Sequence, residues 1–158
     1  MGADDNRRMT PSAPAAPIQE GALRLETLGL IRASGADAAS FLHGQLTNDI
    51  QHLGAGESRL AGYCSAKGRL LASFVVWRAG EDFLLACSAD LLAPTLKRLR
   101  MFVLRAKCSL SDASTELPLY GLAGAAARDW LGTSAPTAPG ATTQRDGAWV
   151  VRLPDAAG

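Results

Sequence analysis

Sulfur, histidine and long apolar runs are all scarce in this chain. Only three cysteines, Cys64, Cys87 and Cys108, occur in 158 residues. They stand too far apart for a CxxC site, and their odd number argues against a disulfide framework. Each lies in or beside an expected strand, where a thiol packs as a small hydrophobe. The two histidines, His43 and His52, are too few for a metal site without carboxylates at metal-binding spacings, so no metal ligand is assigned. The longest apolar stretch, Leu70 to Trp77 with Ser73 inside it, falls well short of the roughly twenty residues that cross a bilayer. The N-terminus also lacks the basic segment and apolar block of a secretory signal. The expectation is a cytoplasmic protein with no membrane partner. Sixteen Lys and Arg against fifteen Asp and Glu leave a formal charge of +1. No global field therefore draws the protein to nucleic acid or acidic lipid, and any such contact must be local.

What is present is an apolar content of 47% arranged in alternating strand and helix patterns, in a length that buries a real core. Residues 1–19 are rich in Pro, Ala and polar side chains and read as a disordered tail. Leu23 to Leu25 and Leu28 to Ile31, split by Gly29, read as one bent strand or two short ones. Ser34-Gly35-Ala36-Asp37 offers a helix start, with Ala38, Phe41, Leu42 and Gln45 at helical spacing behind it. Thr47-Asn48-Asp49 then stops the helix, because these side chains bond to backbone in turns. Ser58 to Ala66 and Arg69 to Arg78 form a hairpin around Lys67-Gly68, and a turn at Gly80 to Asp82 leads into a third strand, Phe83 to Cys87. Ser88 or Asp90 caps a second helix, with Pro94 in its first turn and Leu92, Leu96, Leu99 and Val103 as its buried stripe.

With Ala106 to Leu110 as a last strand, the order is β-α-β-β-β-α-β. This is an α+β, ferredoxin-like antiparallel sheet with helices packed on one face. Residues 20–111 make this unit, and residues 112–158 begin a second α+β unit that is not completed within the chain. That second unit has a strand at Leu117 to Leu122, a short helix at Gly124 to Leu131, a mobile loop over 132–147 and a strand at Trp149 to Leu153. A chain that stops after an apolar strand reads as a piece of a longer protein.

Residue types alone assign Thr47-Asn48-Asp49 to helix termination and Lys67-Gly68 to turn chemistry. Three motifs add more: Gly35-Ala36-Asp37 before Phe41-Leu42, then Gly44-Gln45-Leu46-Thr47-Asn48-Asp49, then Cys64-Ser65-Ala66-Lys67-Gly68-Arg69. In order and spacing they resemble the N-terminal domain of the folate-binding YgfZ family, relatives of the glycine-cleavage T-protein (aminomethyltransferase). The match runs from about Leu28 to Leu110.

The resemblance implies a tetrahydrofolate or other reduced-folate site, in a cleft between the end of the first helix and the hairpin turn. It would be formed by Gln45, Thr47, Asn48, Asp49, Lys67, Arg69 and Trp77. The hydrogen-bonding groups would meet the pterin edge, Trp77 and Tyr63 the flat rings, and Lys67, Arg69 or Arg59 the carboxylate tail. It further implies support of iron–sulfur cluster assembly or repair, with iron–sulfur enzymes or assembly factors as partners, and through them tRNA modification. Lys97, Arg98 and Arg100 on the second helix are candidates for a weak tRNA contact. The T-protein branch has two adjacent aspartates after the hairpin, where Ala72 and Ser73 stand here, so no catalytic residue is assigned. The Lys-Gly-Cys-Tyr motif found towards the C-terminus of the YgfZ branch does not occur in this chain. The alternatives are a folate-dependent aminomethyltransferase and an RNA-contacting domain without a folate site.

Overall fold

A computed structural model describes residues 21–154, and the tail expected over 1–19 lies outside the described residues. The chain folds in the order β1 (Gly21–Arg24), β2 (Leu28–Ser34), α1 (Ala38–Gln45), β3 (Ser58–Cys64), β4 (Leu70–Ala79), β5 (Asp82–Ser88), α2 (Ala89–Val103) and β6 (Ser109–Asp112). It continues through β7 (Tyr120–Ala123), α3 (Gly124–Leu131), a 3-10 turn (Gly132–Ser134), β8 (Thr142–Arg145) and β9 (Ala148–Val151). The main sheet has the order β3-β4-β5-β2-β6, with every pair antiparallel. This is the ferredoxin-like arrangement of β2, β4, β5 and β6 around α1 and α2, with β3 added at one edge.

Strand alternation decides which side chains meet the helices. Ile31 and Ala33 of β2, Phe74 and Val76 of β4, and Phe83 and Leu85 of β5 face α1 and α2. There they form one core with Phe41, Leu42, Leu92, Leu96 and Leu99. The opposite parity, Leu30, Trp77 and Leu84, forms a second core under Ala113, Leu117, Leu119 and the β8–β9 hairpin. Because both faces of β5 are covered, Phe83-Leu84-Leu85 reads as an unbroken apolar run instead of an alternation.

Several boundaries differ from the sequence reading, each for a local reason. β1 and β2 are separate strands, and the break falls at a turn through Glu26 and Thr27, not at Gly29. β1 pairs with β7, so a strand from the first expected unit is completed by one from the second. The hairpin connection is the five residues 65–69, because the register shifts between Tyr63 and Cys64 and lengthens one arm. Pro94 is the sixth residue of α2, past the first turn, so the helix forgoes the bond its amide would make to the Asp90 carbonyl. The expected loop over 132–147 contains the 3-10 turn and β8, and β8 pairs with β9 across Asp146-Gly147. Both turn residues have positive φ, 50° and 78°, the geometry of a two-residue hairpin turn.

Gly35-Ala36-Asp37 fastens the start of α1 to the loop before β6. The Asp37 carboxylate accepts the Lys107 amide at 2.7 Å instead of capping its own helix, and the Asp37 amide donates to the Lys107 carbonyl at 3.1 Å. Gly35 has φ +111°, and a Cβ there would stand 2.2 Å from the Lys107 carbonyl oxygen. Gly35→Ala is therefore expected to lower unfolding free energy by roughly 1–3 kcal/mol or more. Gly68→Ala, at φ +74° with open space around it, is expected to cost only about 1 kcal/mol. Urea unfolding of the two variants checks this, and equal losses would contradict the close contact.

Candidate functional site

One edge of the main sheet is β3, and the segment after α1 runs along it. Leu46 bridges to Tyr63, and the Thr47 amide donates to the Gly62 carbonyl at 2.9 Å. The Gly62 amide in turn donates to Thr47 Oγ1 at 2.8 Å. Asn48 Nδ2 donates to the Leu60 carbonyl at 2.8 Å, while its Oδ1 accepts the Asp49 amide at 2.8 Å. Thr47 and Asn48 thus satisfy backbone groups that an edge strand would otherwise leave open.

Asp49 organises the next turn. Its carboxylate accepts the His52 amide at 3.1 Å and lies 2.9 Å from His52 Nδ1. His43 Nδ1, from the last turn of α1, approaches it at 3.2 Å. Arg59 donates to the Asp49 and His52 carbonyls and lies 3.5 Å from Glu57, so its guanidinium is committed to the loop. The side-chain and backbone hydrogen bonds from His52 hold the Asp49 carboxyl below its ordinary range.

The seven expected site residues therefore fall into three groups. Thr47, Asn48 and Asp49 are engaged with backbone and loop. Gln45, Lys67 and Arg69 keep their side-chain polar groups without protein partners among the described residues, and both cations are exposed at the hairpin tip. The tip itself is closed by backbone, with the Ser65 amide on the Arg69 carbonyl at 2.8 Å. Trp77 is 4% exposed in the second core. It lies seven residues along β4 from Leu70, about 23 Å at strand rise. It offers no stacking surface beside the tip, and its Nε1 is buried without an acceptor among the described residues. Tyr63 is likewise buried, in the helix-side core. The edge loop and the cations are neighbours along β3, but Trp77 does not join them.

A surface that sequence reasoning missed lies on the helix-free face of β3 and β4. Leu60 and Leu70 are 65% and 63% exposed, and Leu60 pairs with Val75 and Gly62 with Ser73 across the hairpin. These residues make a nearly flat apolar wall between the Lys67 tip and a cleft of about 180 Å³, where Leu60 and Val75 meet Pro139, Gly140 and Leu153. The signal was available in strand parity: Leu60 and Gly62 alternate with Ala61 and Tyr63, so they must point away from the helices. A larger cleft of about 460 Å³ lies elsewhere, between β1, β2 and the start of α2. Burial pushes the Cys87 thiol up to about 11 and raises that of Cys108, so neither is a thiolate nucleophile at neutral pH. Among the described residues no group of three or more His, Cys, Asp or Glu is placed to hold a metal, and no helix is long and apolar enough to cross a membrane.

A family profile described as the GCVT N-terminal domain matches residues 19–143. The "tRNA-modifying protein YgfZ" of Photorhabdus laumondii is 30% identical over 137 residues, covering 84% of this chain and 41% of that protein. Its namesake from Edwardsiella ictaluri is 34% identical, covering 83% of this chain and 41% of its own length. This chain therefore spans about two fifths of these relatives. Among solved structures, the glycine cleavage system aminomethyltransferase T of Bartonella henselae superposes with a TM-score of 0.66 at 21% identity. That match covers 78% of this chain and 36% of the other, and it establishes the fold.

The depressed Asp49 carboxyl has a consequence for acid stability. A carboxylate with a lowered folded-state value contributes stability that is complete above the unfolded value, 3.8, and is lost as pH falls through the folded value. Asp49→Asn is expected to flatten the fall in urea midpoint as pH drops below about 4, measured against wild type at pH 6 and at pH 2.5. Parallel curves for the two proteins would remove Asp49 as the loop's organiser.

Proposed function

Since the chain belongs to the GCVT N-terminal domain family, with the profile covering residues 19–143, we propose that it is a YgfZ-like folate-binding module serving tRNA modification. On this reading it acts in the cytoplasm and supports iron–sulfur enzymes or their assembly factors. The division into a folate-binding unit over 20–111 and the start of a second unit belongs to the same reading. So does a site completed by sequence that the relatives have and this chain does not match.

The observation that carries the proposal is the helix-free wall of β3 and β4 with cations at one end. A folate combines flat rings with a carboxylate tail, and the wall offers matching chemistry. Leu60, Leu70 and Val75 would take the rings, and Lys67 and Arg69 would take the tail through charge-assisted bonds. Gln45 has an uncommitted amide, but it ends α1, which packs on the opposite face of the sheet, so it would meet a ligand on the wall only around the β3 edge. Thr47, Asn48 and Asp49 would act by holding the loop and β3 in place, and Trp77 by supporting the sheet from the second core. A bound reduced folate would supply the one-carbon or redox chemistry of its pteridine. The chain's own part is to bind and orient it.

An aminomethyltransferase is the second reading, and Ala72 and Ser73 weigh against it. Ala72 is buried towards the helices, and Ser73 places a hydroxyl, not a carboxylate, on the wall side of β4. Of Lys97, Arg98 and Arg100, the candidates for a tRNA contact, Arg100 also donates from its guanidinium to the Leu110 carbonyl at 3.0 and 2.7 Å.

Calorimetric titration of the chain with tetrahydrofolate tests the site. Wild type is expected to bind. Leu60→Asp, which leaves the Leu60 carbonyl bond to Asn48 intact, is expected to weaken binding at least about tenfold, or ~1.4 kcal/mol. Lys67→Ala combined with Arg69→Ala is expected to abolish the salt dependence of binding. Absence of heat from wild type, or the same affinity in all three proteins, would refute the wall as the site.

A further inference from the structure

The cations of α2 cluster in its second half and just beyond it. Residues 97–107 contain five Lys or Arg and no Asp or Glu, in a chain whose overall charge is only +1. Leu92, Leu96 and Leu99 are buried, and this stripe fixes the helix orientation. Arg98 and Phe102 are four residues apart, so they lie together on one flank, and Lys97 and Met101 form the adjacent pair. Arg100 falls on the other flank, three residues from Lys97, and its guanidinium donates to the Leu110 carbonyl. The Lys107 amide is held by Asp37, which places an acid beside that residue. Arg98 is the α2 cation on the Phe102 flank, with Arg105 three residues beyond Phe102; Lys97, five residues before Phe102, lies about 140° away around the helix, next to Arg100.

The end of α2 also exposes apolar side chains. Phe102 is 44% exposed and Met101 58%. Leu104 ends the helix at φ +44°, a backbone state that a non-glycine residue adopts at a cost, and stands 87% exposed. Arg98 Nε is buried without a hydrogen-bond partner, so its stem lies against the protein while its charge is matched by no carboxylate among the described residues.

We propose that the second half of α2 is a docking surface for single-stranded RNA, with a base stacked on Phe102 and the adjoining phosphates on Arg98 and Arg105. An aromatic ring with cations one helical turn away matches a nucleotide, which presents a flat face and a phosphate side by side. An acidic membrane fits less well. The amphipathic stripe of α2 is spent on the core, and three exposed side chains give less apolar area than the single acyl chain that anchors only marginally. An acidic peptide would meet the charges but leave Phe102 without a planar partner. The inference deepens the tRNA reading above and does not depend on the folate wall, which lies on the other face of the sheet.

Fluorescence anisotropy with a labelled tRNA and a labelled unstructured oligoribonucleotide, between 50 and 200 mM salt, tests it. Two phosphate contacts on a single strand predict a slope of log affinity against log salt of about −1.4. Arg98→Gln is expected to reduce the magnitude of that slope by about 0.7, and Lys97→Gln to leave it unchanged. Phe102→Ala is expected to weaken binding roughly 5- to 150-fold, and Phe102→Trp to retain it, with circular dichroism melts confirming that both variants fold. Unchanged affinity in Phe102→Ala would overturn the proposal. So would binding to phosphatidylserine vesicles or to polyglutamate with none to RNA. RNA binding without any heat from tetrahydrofolate would sustain this inference while removing the folate site.

Discussion

The open edge of β3 is the constraint on which the site depends. An edge strand presents unpaired amides and carbonyls that either recruit another strand or must be covered. Here the cover comes from the chain that leaves α1, through the Thr47 and Asn48 side chains and the Thr47 amide. A second strand in that place would have extended the sheet sideways. Side-chain cover closes the edge instead, and the helix-free face of β3 and β4 is open because the second core stops short of Leu60 and Leu70. Asp49, tied to both histidines and flanked by Arg59, then fixes where the covering segment turns away.

The two faces of the main sheet are filled to different extents. On the helix side the core runs the width of the sheet, from Leu110 on β6 to Ala61 on β3. On the other side the second core gathers around Leu30, Trp77 and Leu84. It ends where the β8–β9 hairpin and the Ala113 to Leu119 segment end, and beyond it the wall around Leu60 and Leu70 is uncovered. Full burial of a leucine contributes about 1.5–3 kcal/mol, so two exposed leucines on rigid paired strands hold a useful binding energy in reserve. Because the strands are already ordered, little conformational entropy remains for a ligand to offset.

The parts of this fold that were legible in the sequence are those set by local pattern. Leu92, Leu96 and Leu99 at helical spacing gave α2, and glycines at two turns gave the three-strand meander. The β1–β7 pairing was not legible, since it joins strands about a hundred residues apart and no local pattern encodes a partner. β8 had a usable signal in Asp146-Gly147, a strong short-range hairpin mark, but the Pro, Ala and Gly residues before it masked the strand. At the site, residue types were readable and their engagements were not. A threonine or asparagine that bonds to a ligand has the same chemistry as one that bonds to a strand edge, and only the position of β3 separates the two. Trp77 shows a related limit: an aromatic in a strand fits a binding wall or a core equally well until the cover on its face is known.

Strand parity also gives meaning to the pair at which this chain departs from the T-protein pattern. Ala72 is 2% exposed and points at the helices, so a carboxylate there would have to ionise in the core, at a cost of several kcal/mol. Of the two positions, only 73 can present an acid or base to something lying on the wall. In this chain that position is a serine paired with Gly62. Its hydroxyl can hydrogen-bond but does not hold or release a proton near neutral pH. The wall is therefore neutral where a transferase would be charged, with its cations confined to the hairpin tip. On the proposed folate reading, such a surface would hold a flat ring and an anionic tail, and any proton transfer to the bound ring would have to come from groups off this wall.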